Sequence, residues 1–158
     1  MSASPSPTPP AAPDDADLAA AAPNTLVRVA SGLVMAAGLA TALVGVQNLV
    51  GFEMFGLYFA MLVGLLVLGA AAIAIGWIHG KARAWAALAS LAMAILLTLG
   101  SMAWLIVSLL GGGISMMAFF AVALSGIATM VVPFSVGPCR RATAARAKLR
   151  AAGLDLGL

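Results

Sequence analysis

Residues 55–110 read FGLYFAMLVGLLVLGAAAIAIGWI, then HGKARA, then WAALASLAMAILLTLGSMAWLIVSLL. Two apolar runs, 55–78 and 85–110, flank a short turn that carries Lys81 and Arg83. At about 1.5 Å of rise per residue, either run as a helix exceeds the roughly 30 Å thickness of a bilayer's hydrocarbon core. Two more runs of the same kind, 29–50 and 114–136, lie outside this pair, and no Lys, Arg, Asp, Glu or His interrupts any of the four. Continuous apolar runs of this length predict spanning helices. The connections 51–54, 79–84 and 111–113 are short, which forces consecutive helices to run antiparallel. The expected fold is therefore all-α: an integral membrane four-helix up-down bundle over residues 25–137.

Composition leads to the same class. Hydrophobic residues make up 63% of the 158, charged residues only 8%, and the mean hydropathy is +1.12. So few charges cannot cover a soluble globule of this length, and the lipid bilayer is the expected partner for most of the surface. The net charge of +3 needs no nucleic acid to explain it, because basic residues flanking spans account for it. All eight Lys and Arg fall before the first run, in the 79–84 turn or after the fourth run. By the positive-inside rule both termini are expected in the cytoplasm. Arg outnumbers Lys and Ala is abundant, as in chains from high-GC bacteria, so the bacterial inner membrane is the expected compartment.

The ends differ from the middle. Residues 1–24 are rich in Pro, Ser and Ala, carry Asp14, Asp15 and Asp17, and have little to bury. They are expected to form a disordered cytoplasmic tail. Near the end of the fourth run, Pro133 should kink the helix, and Gly137 with Pro138 should break it. Residues 138–158 then form a basic cytoplasmic tail, with a short helix over 140–152 stopped by Gly153. Arg140, Arg141, Arg146, Lys148 and Arg150 are candidate contacts for anionic lipid head groups or a partner, and pairing with the acidic N-terminal tail is a further reading.

Helices in lipid meet through small and hydroxylated residues. Such residues recur at helical spacing as Ser31, Gly38, Thr41, Gly45 and Asn48; as Ser90, Ala94, Ser101 and Ser108; and as Ala118, Ala121, Ser125 and Ala128. These three seams are the predicted inward faces. Trp77 and Trp85 bracket the basic turn, as rings that favour the membrane interface do, and Trp104 is assigned to packing.

Residues able to do chemistry are scarce. Gln47, Asn48 and Glu53 could form a small polar cluster at the opposite mouth of the bundle. His79 has no second ligand nearby in sequence and is assigned to interface solvation in the basic turn. Ser115 belongs at the other membrane face from His79, so no serine nucleophile has a base. The methionines lack the spacing of a soft-metal site, and Cys139 is alone. No catalytic residue, cofactor site or metal site is assigned, and an enzyme is not expected. Four short spans superficially resemble small multidrug exporters, but the membrane-embedded acidic residue those proteins need in the first span has no counterpart here. The expected role is an accessory, scaffold or self-associating subunit of a membrane assembly, with a homo-oligomer or another membrane protein as partner. The alternative is a small oligomeric transporter or channel for an apolar or neutral solute.

Overall fold

The computed structural model describes residues 15–51, 56–111 and 115–154. Five helices account for almost all of them: α1 (Asp15–Ala21), α2 (Thr25–Gly51), α3 (Leu57–Gly80), α4 (Ala84–Leu110) and α5 (Met116–Ala151). No strand occurs among the described residues. The four helices α2 to α5 are long and apolar enough to cross a membrane. Large apolar side chains such as Leu39, Val67, Leu99 and Phe134 point outward from each of them. In the most apolar window of α4 only 22% of the residues are buried inside the protein. The outer surface therefore suits lipid rather than water.

Each long helix packs on its neighbour in sequence, and α5 closes back onto α2. The buried positions explain this ring. On α2 they are Val27, Ala30, Val34, Ala37, Thr41 and Val44; on α3, Leu62, Leu65, Gly69, Ala72, Gly76 and His79. Steps of three and four alternate along both helices. The series Ala87, Ser90, Ala94, Leu97, Ser101 and Trp104 on α4 follows the same rule. A mean step of 3.5 residues keeps one seam facing inward and favours a left-handed supercoil.

The α2–α3 contact brings backbone against backbone. A Cβ placed on Gly69 would lie 2.5 Å from the Gly38 carbonyl oxygen and 2.7 Å from the Ala42 nitrogen, and one placed on Gly38 would lie 2.7 Å from the Gly69 oxygen. Gly45 meets the backbone of Leu62, and Gly76 meets Ser31 and Met35. The partner number falls on α3 as it rises on α2, so the two helices run in opposite directions. Only glycine permits backbones to come this near, and in lipid such close packing replaces the hydrophobic effect as the force joining helices.

Two expectations are corrected, one late in the fourth long helix and one ahead of the first. Pro133 and Pro138 do not break α5, which runs without interruption to Ala151. Its buried stripe also passes the prolines unbroken, as Ala128, Val132, Ser135, Cys139, Ala142, Ala145 and Leu149. Cys139 and Ala142 pack on Val27, Ala82 and Ala87, and this support outweighs the amide donors the prolines remove. The helix ends where expected: Gly153 takes φ of 83°, Leu154 N–H donates to the Leu149 carbonyl at 2.9 Å, and Gly153 N–H donates to Arg150 at 3.0 Å. Within the segment expected to be a structureless tail, Asp15–Ala21 is helical and packs on α5. Ala21 is fully buried against Ala145 and Leu149.

The glycine seam yields a contrast testable by thermal unfolding in detergent micelles. Gly69→Ala places a methyl group against backbone and is expected to lower stability by about 1–3 kcal/mol. Gly64→Ala, where a Cβ meets nothing within 4 Å, is expected to leave stability unchanged or raise it by up to about 1 kcal/mol through helix propensity.

Candidate functional site

Polar side chains inside the bundle collect at two levels. The first lies midway along the helices. Thr41 Oγ1 donates to the Ala37 carbonyl at 2.9 Å and stands 3.2 Å from Ser101 Oγ on α4. With the Thr41 proton already committed, Ser101 is the donor between the two helices. Ser125 on α5 turns back on its own helix, donating to the Ala121 carbonyl at 2.7 Å. Thr98 and Thr129 approach to 3.4 Å, but each donates to its own helix, at Ala94 and Ser125 respectively. That contact joins two acceptors and carries no proton.

The second level lies at the end of the bundle with the basic turn. His79 Nε2 stands 3.0 Å from Ser135 Oγ, and Ser135 Oγ donates to the Val132 carbonyl at 2.6 Å. The serine proton is thereby used, so His79 Nε2–H donates to Ser135 and Nδ1 is left as a bare acceptor. Nδ1 is buried without a partner, as are Ser90 Oγ and Trp104 Nε1. This corrects the assignment of His79 to interface solvation. The residue is fully buried because α3 continues to Gly80 and α5 stays helical past Pro133. The two interhelical bonds span the two diagonals of the ring: Ser101 to Thr41 joins α4 to α2, and His79 to Ser135 joins α3 to α5.

Beyond His79 the same end carries a cationic assembly. Arg146 donates from Nε at 3.0 Å and from Nη2 at 2.8 Å to the carbonyl of Ala21, the last residue of α1, and from Nη1 at 2.7 Å to the Lys81 carbonyl. One guanidinium thus ties α1, the α3–α4 turn and α5 together. A cation at a helix C-terminus also meets the negative end of the helix dipole. Lys148 Nζ lies 3.3 Å from Asp17 Oδ1, but the lysine side chain is 71% exposed, so this pair contributes only about 0.2–1 kcal/mol. The turn itself holds Ala82 at φ of 53°, with its N–H donating to the His79 carbonyl at 2.8 Å. Thr143 Oγ1 accepts from the first amide of α4, Ala84 N–H, at 3.3 Å.

The other sequence-derived candidates are placed as follows. Asn48 Nδ2 donates to the Val44 carbonyl of its own helix at 2.8 Å and Gln47 is exposed, while Glu53, the third member of the expected cluster, lies outside the described residues. Arg140, Arg141, Lys148 and Arg150 are exposed on α5, whereas Arg146 is half-buried in the contacts given above. Sequence reasoning missed the His79–Ser135 pair, although a signal was present: His79 continues the inward stripe of α3, and Ser135 continues that of α5. Among the described residues no three His, Cys, Asp or Glu side chains come together as a metal site would need. Comparison of the chain with known protein families, with curated proteins and with solved structures finds no match.

The proton assignments predict unequal costs for two small substitutions in the same region. Ser135→Ala leaves the His79 N–H without an acceptor and is expected to destabilise the protein by about 1–3 kcal/mol. Ser90→Ala removes a buried hydroxyl that has no partner and is expected to cost nothing or to stabilise slightly. Reversible unfolding of both variants in bicelles measures the difference.

Proposed function

We propose that the chain is a multi-pass membrane protein of up-and-down topology whose role is structural rather than catalytic, as an accessory, scaffold or self-associating subunit of a membrane assembly. The observation that carries this reading is how the interior is occupied. The buried positions hold mainly Ala, Val, Leu and Gly, with single His79, Trp104 and Cys139 side chains, and every buried hydroxyl except Ser90 bonds to a carbonyl of its own helix or to one facing side chain. A centre filled in this way directs interaction to the outer faces of the helices and to the termini. The end bearing Arg28, Lys81, Arg83, Arg140 and Arg141 is the cytoplasmic one in this reading, by the distribution of basic residues near the spans, and the membrane is the bacterial inner membrane.

A second reading, a small transporter for a neutral solute, draws on one feature: Thr41, Ser101 and Ser125 are buried hydroxyls on α2, α4 and α5, packed around the same centre. Two measurements separate the readings. Cross-linking in native membranes followed by purification is expected to capture a discrete partner or a self-assembled oligomer. Strictly monomeric protein that cross-links to nothing contradicts the assembly role. Reconstituted vesicles are expected to show no uptake of neutral solutes beyond protein-free controls, and uptake abolished by Thr41→Val with Ser101→Ala supports transport instead.

A further inference from the structure

The course of α5 sets local sequence against tertiary packing. Gly137 and Pro138 weaken the helix at one point, and a Cβ on Gly137 would meet nothing within 4 Å, so no neighbour braces that residue. Beyond it, Arg140, Arg141, Lys148 and Arg150 are exposed on a helix that continues without interruption. Three contacts hold it there: Cys139 and Ala142 on the ends of α2 and α4, Ala145 and Leu149 on α1, and Arg146 on the carbonyls of Ala21 and Lys81. Two of the three involve α1 directly.

α1 itself is weakly held. A helix of seven residues does not form alone in water. It depends on one buried residue, Ala21, on the Arg146 guanidinium and on an exposed ion pair. Its sequence, DADLAAA, places Asp15 and Asp17 in its first turn. An anionic bilayer surface acts on these parts in opposite senses: it attracts the cations of the α5 extension and repels the acids of α1. About 20 residues of α5 suffice to cross the hydrocarbon core, so the last turns of this 36-residue helix extend beyond it while they stay packed on α1. They reach the surface only if the helix bends.

We propose that α1 and Arg146 form a clasp that holds the basic extension of α5 away from the membrane, and that an anionic phospholipid surface opens it by drawing the extension down about Gly137 and Pro138. The bound ligand class is the phosphate-bearing head group of an acidic phospholipid. Its contacts are Arg140, Arg141, Lys148 and Arg150. The proposal rests on α5 crossing a bilayer and not on any partner or on which compartment the clasp faces.

Spin labels on Ala20→Cys and Ala147→Cys, in a Cys139→Ser background, report the α1–α5 separation by pulsed dipolar spectroscopy. In phosphatidylcholine vesicles a single short distance is expected. In phosphatidylglycerol vesicles the major population shifts to a longer distance, and raised salt returns it. Arg146→Gln lengthens the distance even in phosphatidylcholine, while Arg140→Gln with Arg141→Gln, which leaves the clasp intact, at least halves the shift in phosphatidylglycerol. One short distance in both lipids, or a shift untouched by salt and by the double variant, overturns the proposal. Flotation with neutral vesicles, resistant to carbonate extraction, tests membrane spanning separately, so loss of that reading is distinguishable from loss of the clasp.

Discussion

The close approach of α2 and α3 at Gly38 and Gly69 is the constraint on which the rest of the bundle depends. Lipid offers no hydrophobic gain for joining two apolar helices, so association has to come from backbone proximity, dispersion contacts and a few polar bonds. The two glycines bring one helix onto the backbone of the other, and Gly45 and Gly76 repeat the contact two turns away on either side. With that pair fixed, α4 and α5 can complete a ring narrow enough for single side chains to cross it. Ser101 reaches Thr41 on one diagonal, and His79 reaches Ser135 on the other. Neither bond is worth much alone, since interhelical hydrogen bonds in membranes average about 0.6 kcal/mol. What they add is register, because a shift of one residue along either helix leaves a buried polar group without a partner.

Much of this was legible in the sequence, for a physical reason. An uninterrupted apolar run has few alternatives to a spanning helix, and the runs at 29–50, 55–78 and 85–110 correspond to Thr25–Gly51, Leu57–Gly80 and Ala84–Leu110 within a few residues. The small-residue seams were largely legible. Ser31, Gly38, Thr41 and Gly45, then Ser90, Ala94 and Ser101, then Ala118, Ala121, Ser125 and Ala128 are all buried, while Asn48 and Ser108 at the ends of the first two seams are only partly so. What failed was reading from local rules alone. Gly137 and Pro138 predict a break by intrinsic preference, yet the inward stripe runs past them, and packing prevails over propensity. The same stripe would have placed His79 inside rather than in the turn. The helix Asp15–Ala21 was not legible, because its order comes from a distant partner, Ala21 being held by Arg146, 125 positions later, whereas pairing between the acidic segment and the basic extension was, as Asp17 with Lys148.

Among the described residues, charged side chains that make contacts within the fold gather at the end of the bundle with the basic turn. His79 and Ser135 close the bundle there, Arg146 gathers α1 and the turn just beyond, and exposed cations surround them. Toward the opposite end, Asn48 bonds to its own helix and Gln47 is exposed. Arg146 acts within the fold, whereas Arg140, Arg141 and Arg150 remain available to the surroundings.

The central claim, that a closed ring of helices presents an apolar surface to lipid, is tested most directly by single nitroxide labels scanned along α4 in bilayers, with collision rates measured for oxygen and for a water-soluble nickel chelate. The account predicts a helical periodicity with oxygen maxima at outward positions such as Leu88, Leu99 and Ile106 and minima at Ser90, Ala94, Leu97 and Ser101, while the nickel reagent reaches only the ends of the helix. A flat oxygen profile, or nickel access at mid-helix positions such as Leu96 and Leu99, would contradict it.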